Sequence, residues 1–208
     1  MKMVTFLYPG MTTLDLVGPH EVLSRLPDAN VIRVAETAGP VVTDTGLQLV
    51  ADAAISDVDS ADILLMPGGT NTWPLLGNDK VLDWVRKIDA GSQWTTSVCT
   101  GSLVYAAAGL LSGHQATTHW ATLDVLREYG AEPVSNRVVV SGRYVSAAGV
   151  SAGIDMGLTL AARIAGDDFA QLLQLAIEYD PQPPFDAGSP DKVPHLKDAV
   201  IQLLSPPG

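Results

Sequence analysis

Cysteine is nearly absent: the 208 residues contain one, Cys99. That excludes an intrachain disulfide framework. The N-terminus, MKMVTFLYPG, also lacks the cationic start, apolar stretch and cleavage site of a secretory signal, so a cytoplasmic protein is expected. Long hydrophobic runs are missing too. The longest uncharged apolar stretch, Leu103 to Leu111, falls well short of the ~20 residues of a membrane-spanning helix, which argues against a membrane protein. Positive charge is scarce, with 12 Lys and Arg against 23 Asp and Glu and a net charge of −11. Nucleic-acid binders concentrate cations on one face, so nucleic acid is not an expected partner. The four histidines form no metal-ligand spacing with carboxylates, and no metal site is expected.

What is present is a 47% apolar, 17% charged chain able to bury a core as one domain over residues 1–208. Short β-branched runs alternate with longer amphipathic stretches, the pattern of βαβ units around a mostly parallel sheet. Strands are expected at Met3 to Tyr8, Asn30 to Glu36, Ile63 to Met66 and Trp94 to Val98. Val41 to Ala51 should form a hairpin that extends the sheet's edge, and Val138 to Ala147 a second hairpin. Helices are expected over Leu14 to Leu26, Leu82 to Ile88, Leu103 to Leu111, Ala121 to Tyr129, a run capped by Ser151, Phe169 to Glu178, and Leu196 to Leu204. Prolines make about 179–195 an extended surface arm. The fold class is a flavodoxin-like three-layer α/β/α sandwich.

A lone free cysteine is, by count, more often a buried packing residue than a reactive one. Position reverses this for Cys99. It follows a predicted strand directly and opens a predicted helix through the small residues Thr100, Gly101 and Ser102, the signature of a nucleophile elbow at the sheet's C-terminal edge. Unpaired N–H groups at a helix start would lower its thiol pKa from ~8.5. Pro67-Gly68-Gly69-Thr70 ends a neighbouring strand at the same edge, making Gly69 and Thr70 candidate anion-hole donors or else part of an ordinary turn. Asp15 is either a helix cap or, facing Cys99, a partly buried carboxyl able to move a proton. His119 can line the same pocket, as can Trp73 and Trp120.

With these residues in place the chain resembles the PfpI and class I glutamine amidotransferase-like superfamily, and within it the bacterial isocyanide hydratase branch. The likeness rests on Leu14-Asp-Leu-Val-Gly-Pro-His20, Met66-Pro-Gly-Gly69, Ser97-Val-Cys-Thr-Gly-Ser102, Ala116-Thr-Thr-His-Trp120, Ala152-Gly-Ile-Asp155 and the segment from Glu178 to Pro190. The resemblance implies hydration of a small-molecule isocyanide to an N-formamide with no cofactor and through a thioimidate. It gives Cys99 the attack, Asp15 the acidic role with Thr100 helping to fix it, and Val150 a branched apolar place near the nucleophile. A homodimer is also implied. Deglycase-like relatives carry glutamate where this chain has Asp15, which favours the hydratase branch. Sensor halves of AraC-type regulators share the motifs but continue into a basic helix-turn-helix that is not seen here. A noncatalytic ligand or oxidant sensor, and a glyoxalase- or deglycase-like activity on α-oxoaldehydes, are the alternatives.

Overall fold

The computed structural model describes residues 1–204, so the last four residues of the expected domain lie outside the described residues. In chain order the strands are β1 (Lys2–Phe6), β2 (Asn30–Ala35), β3 (Gly39–Val42), β4 (Gln48–Ala51), β5 (Ala53–Ala54), β6 (Ile63–Met66), β7 (Trp94–Val98), β8 (Gln115–Ala116), β9 (Glu132–Pro133), β10 (Val138–Ser141) and β11 (Tyr144–Ala147). The α-helices are α1 (Thr13–Leu23), α2 (Asp79–Asp89), α3 (Gly101–Ala107), α4 (Leu123–Glu128), α5 (Ala152–Ala165), α6 (Asp167–Ala176) and α7 (Lys197–Leu204).

Seven strands form one sheet in the order β10-β11-β7-β6-β1-β2-β5, parallel throughout except where β10 meets β11. The middle strand, β6, is apolar on both faces because helices cover both. On β6, Leu64 and Met66 join the core beneath α2 and α3 with Val85, Ile88 and Val104. Ile63 and Leu65 point the other way, into the core beneath α1, α5 and α6 with Val22, Met156 and Leu160. The alternation along one four-residue strand therefore fastens both outer layers to the sheet. This is a flavodoxin-like α/β/α sandwich, as the sequence pattern predicts.

Two local expectations are corrected. The β3–β4 hairpin does not extend the sheet; it forms a two-stranded sheet of its own. Asp52 explains the difference: its carboxylate clamps the Arg33 guanidinium and backbone N–H, and its own N–H donates to Arg33 O, which seats Ala53–Ala54 beside β2 as the edge. The hairpin tip is tied instead to the loop before α1, through Asp44 N–H to Met11 O and Thr12 Oγ1–H to Asp44 Oδ2. Ser151 precedes α5 but makes no side-chain cap; its hydroxyl accepts from Arg137.

Strand order decides where a ligand can sit. β1 lies between β2 and β6, and the connections leaving β1 and β6 diverge at their C-terminal ends, opening a crevice at that edge. The segments leaving β1, β6 and β7 carry Asp15, Gly68-Gly69 and Cys99 respectively.

Candidate active site

Between β7 and α3 the chain reverses in two residues, and Cys99 takes a left-handed backbone conformation with φ 56°. An L-residue pays for that conformation in strain, so the surroundings must hold it. They do: Cys99 N–H reaches Ala147 O and Ala148 O at 3.1 and 3.0 Å, while its carbonyl accepts from Thr118 Oγ1 at 2.9 Å and Ser102 Oγ at 3.2 Å. The elbow also requires glycine on both sides. A Cβ on Gly101 would sit 2.2 Å from Met66 O, and one on Gly68 would sit 2.5 Å from Thr100 N. Gly101→Ala is thus expected to destabilise the fold by about 3 kcal/mol or more, read as a lower urea midpoint, because the obstacle is backbone and cannot swing aside. An unchanged midpoint would mean the elbow is looser than described.

Asp15 lies in the first turn of α1 and is completely buried. The cap position belongs to Thr12, so the carboxyl is not a cap. Its Oδ2 accepts the Gly68 N–H at 2.9 Å, and Oδ1 is left without a hydrogen bond. Burial pushes the pKa up to about 7, against the moderating effects of the Gly68 N–H and the adjacent Cys99 thiol. Thr100 does not hold this carboxyl. Its hydroxyl lies against the sulfur and accepts the Gly69 N–H at 2.9 Å, which also means that Gly69 N–H is already committed.

Cys99 is itself buried, and the expectation of a depressed thiol pKa is overturned. Burial pushes the thiol well above its ordinary value, the Asp15 charge adds to this, and the N–H groups of Thr100 and Val150 with the Thr100 hydroxyl only partly oppose it. Helix α3 is seven residues long, and its start cannot offset both effects. Sulfur and carboxyl therefore behave as a pair that shares protons, rather than as a free thiolate with a spectator.

Cys99 opens on a cavity of about 380 Å³ that Thr70, Val150 and His119 also line, while Asp15 lies wholly buried behind it. Val150 has the unusual φ of 35°, and its N–H faces the sulfur. His119 Nδ1 accepts the Ala121 N–H at 3.3 Å, so a neutral ring carries its proton on Nε2, and burial holds the ring's pKa below its usual value. Trp73 contributes to the wall as expected. Trp120 does not; it packs against the His119 ring and faces a neighbouring polar hollow with Arg137 and Asn136. Ile201 and Leu204 of α7 also line the cavity, a contribution that the amphipathic spacing of α7 left unassigned because spacing does not say where a helix docks. Tyr8 and Thr72, buried beneath Thr100, were missed as well. Among the described residues no group of three or more His, Cys, Asp or Glu side chains is arranged to hold a metal.

Known proteins resemble this chain in sequence and fold. Isonitrile hydratase of Pseudomonas putida is 48% identical over 188 residues, spanning 90% of this chain and 82% of that protein. The crystal structure of a ThiJ/PfpI family protein from Pseudomonas syringae superposes with a TM-score of 0.94 at 39% identity, over 98% of this chain and 85% of its own. Drosophila melanogaster DJ-1beta, 21% identical, shares the fold with a TM-score of 0.78 over 85% of this chain and 97% of its own. Residues 1–163 match the DJ-1/PfpI family, and with the elbow and its buried carboxyl in the same frame the chain belongs to that family.

Proposed function

We propose that this protein is a hydratase that converts isocyanides to N-formamides, with Cys99 as nucleophile and Asp15 as proton carrier. The observation that carries this reading is the buried Asp15–Cys99 pair set against a cavity with a largely apolar wall. The 48% identity to a protein named isonitrile hydratase supports it.

The terminal carbon of an isocyanide accepts a nucleophile and a proton at the same atom. Asp15 takes the thiol proton as sulfur adds to that carbon, then delivers the proton to it, giving the thioimidate R–N=CH–S–Cys99. Water next adds to the thioimidate carbon while its released proton passes to nitrogen through Asp15. The tetrahedral adduct R–NH–CH(OH)–S breaks its C–S bond, the hydroxyl proton returns to sulfur, and R–NH–CHO leaves. A carboxyl titrating at about 7 is matched to both directions of transfer near neutral pH. Thr70 and Val150 border the place where charge develops on nitrogen, and His119 offers Nε2–H there; the Gly69 N–H acts indirectly, by holding Thr100. Trp73, Ile201 and Leu204 suit a small apolar R group.

The same reading carries a cytosolic homodimer. The unpaired cysteine supports the compartment, and exposed Leu14 and Val17 on α1 support an apolar contact face. The test of the activity is direct. Purified protein is incubated with alkyl, cycloalkyl and aryl isocyanides while loss of the isocyanide infrared band and formation of formamide are followed. Catalytic turnover of the small apolar members is expected, and absence of turnover across the panel would overturn the proposal.

A further inference from the structure

The reaction cavity has a neighbour of opposite character. Beside it lies a hollow of about 460 Å³ whose lining includes Ser135, Asn136 and Arg137, whereas Trp73, Ile201 and Leu204 face the cavity. Among the described residues only His119 and Val150 line both spaces, so the imidazole stands as a wall between them. Its place is fixed from several sides. Nδ1 accepts the Ala121 N–H at 3.3 Å, the Trp120 ring lies 5.3 Å away at 37°, and the Cδ2–Nε2 edge lies against Gly149. A Cβ on Gly149 would stand 2.7 Å from Cδ2 and 3.4 Å from Nε2. Gly149 has a negative φ, so its backbone does not require glycine; the missing side chain is what leaves room for the ring. Burial holds the imidazole below its usual pKa, so the wall carries no charge at neutral pH.

We propose that His119 is a specificity-determining partition, seated by Gly149, that confines whatever bonds to Cys99 to the apolar cavity and keeps it out of the polar hollow. With the ring in place, a group attached to the sulfur meets a closed flank at residue 119 and extends toward Trp73, Ile201 and Leu204. Without the ring the two spaces become continuous. A polar tail long enough to pass residue 119 then gains Ser135 and Asn136 as hydrogen-bond partners. Gly149 acts through His119. A Cβ at 149 forces the ring to move by about 1 Å to regain ordinary carbon–carbon contact. Gly149 lines the hollow and not the cavity, so that movement carries the ring into the cavity. The partition acts on any electrophile that reaches Cys99, and it stands apart from the isocyanide reading.

The experiment compares two reagents at Cys99, the one cysteine of the chain. They are iodoacetamide and an iodoacetamide carrying a triethylene glycol tail on its nitrogen, each followed by mass spectrometry of the intact protein. The ratio of the two rates cancels any change in the reactivity of the sulfur itself. His119→Ala is expected to raise the long-to-short ratio about tenfold, the scale on which a steric wall discriminates. His119→Phe, which restores a ring without the imidazole nitrogens, should return the ratio to the wild-type value. Gly149→Ala should lower the ratio, and in a His119→Ala background it should change nothing, because no ring is left to displace. An unmoved ratio in His119→Ala would overturn the proposal, as would a raised ratio in His119→Phe or an effect of Gly149→Ala that persists without His119. Melting curves check folding, and if Gly149→Ala does not fold, the two His119 variants decide alone.

Discussion

Cys99→Ala is expected to reduce formamide production to the uncatalysed rate, a loss on the order of 10⁶-fold if the nucleophile carries the reaction as nucleophiles do elsewhere. Folding should survive. Alanine at φ 56° is no more strained than cysteine, and the hydrogen bonds that hold this turn use the backbone N–H and C=O of residue 99, which alanine retains. The substitution also removes the thiol that stabilises the Asp15 charge, so the Asp15 carboxyl should titrate even higher than about 7. Chromatographic measurement of formamide, with a parallel melting curve, separates lost chemistry from lost structure. A folded Cys99→Ala protein that still turns over isocyanide would remove the thioimidate from the mechanism.

Asp15→Asn should act on activity and stability in opposite directions. The amide oxygen can still accept the Gly68 N–H, but it cannot carry a proton, and turnover is expected to fall by about 10²- to 10⁴-fold. The sign for stability follows from linkage. The folded-state pKa of about 7 lies above the ordinary value of 3.8, so between these limits the folded state holds the proton more tightly than the unfolded chain. Stability from this group is complete below the lower value and is lost as pH rises through the higher one. The cumulative loss is of order 4 kcal/mol above about pH 7. Asp15→Asn should therefore be more stable than wild type at about pH 8 and similar to it at about pH 3. Urea unfolding across that range reads the difference; equal stabilities at the alkaline end would mean that the carboxyl is not desolvated as described.

The sheet could be read from the chain because its strands are short, apolar and bounded by Pro-Gly or Gly-Gly turns, as at Ile63–Met66 followed by Pro67-Gly68-Gly69. The elbow could be read because only small residues follow Cys99. Three things could not. The hairpin's independence depends on the Arg33–Asp52 clamp, a contact between residues nineteen apart with no periodic signature. The raised thiol pKa depends on burial and on the position of the Asp15 charge, whereas local sequence offered only the helix start. The support beneath Thr100 comes from Tyr8 and Thr72, ordinary residues in a strand end and a turn, which gain significance only when three segments converge. Local pattern specifies elements well, but polar partnerships across elements have no period to detect.

Ile201 and Leu204 give the molecule an uneven tolerance to change. Around Cys99 the backbone is so close that a single methyl on Gly101 meets a carbonyl oxygen at 2.2 Å, and drift there is forbidden. Helix α7 has no buried residue, and both its cavity-lining side chains are partly exposed. Larger or smaller residues can be exchanged on it at little cost to folding while the wall facing the R group is reshaped. Selection can thus retune which substrates enter by altering a lightly anchored helix, and leave the reaction centre untouched.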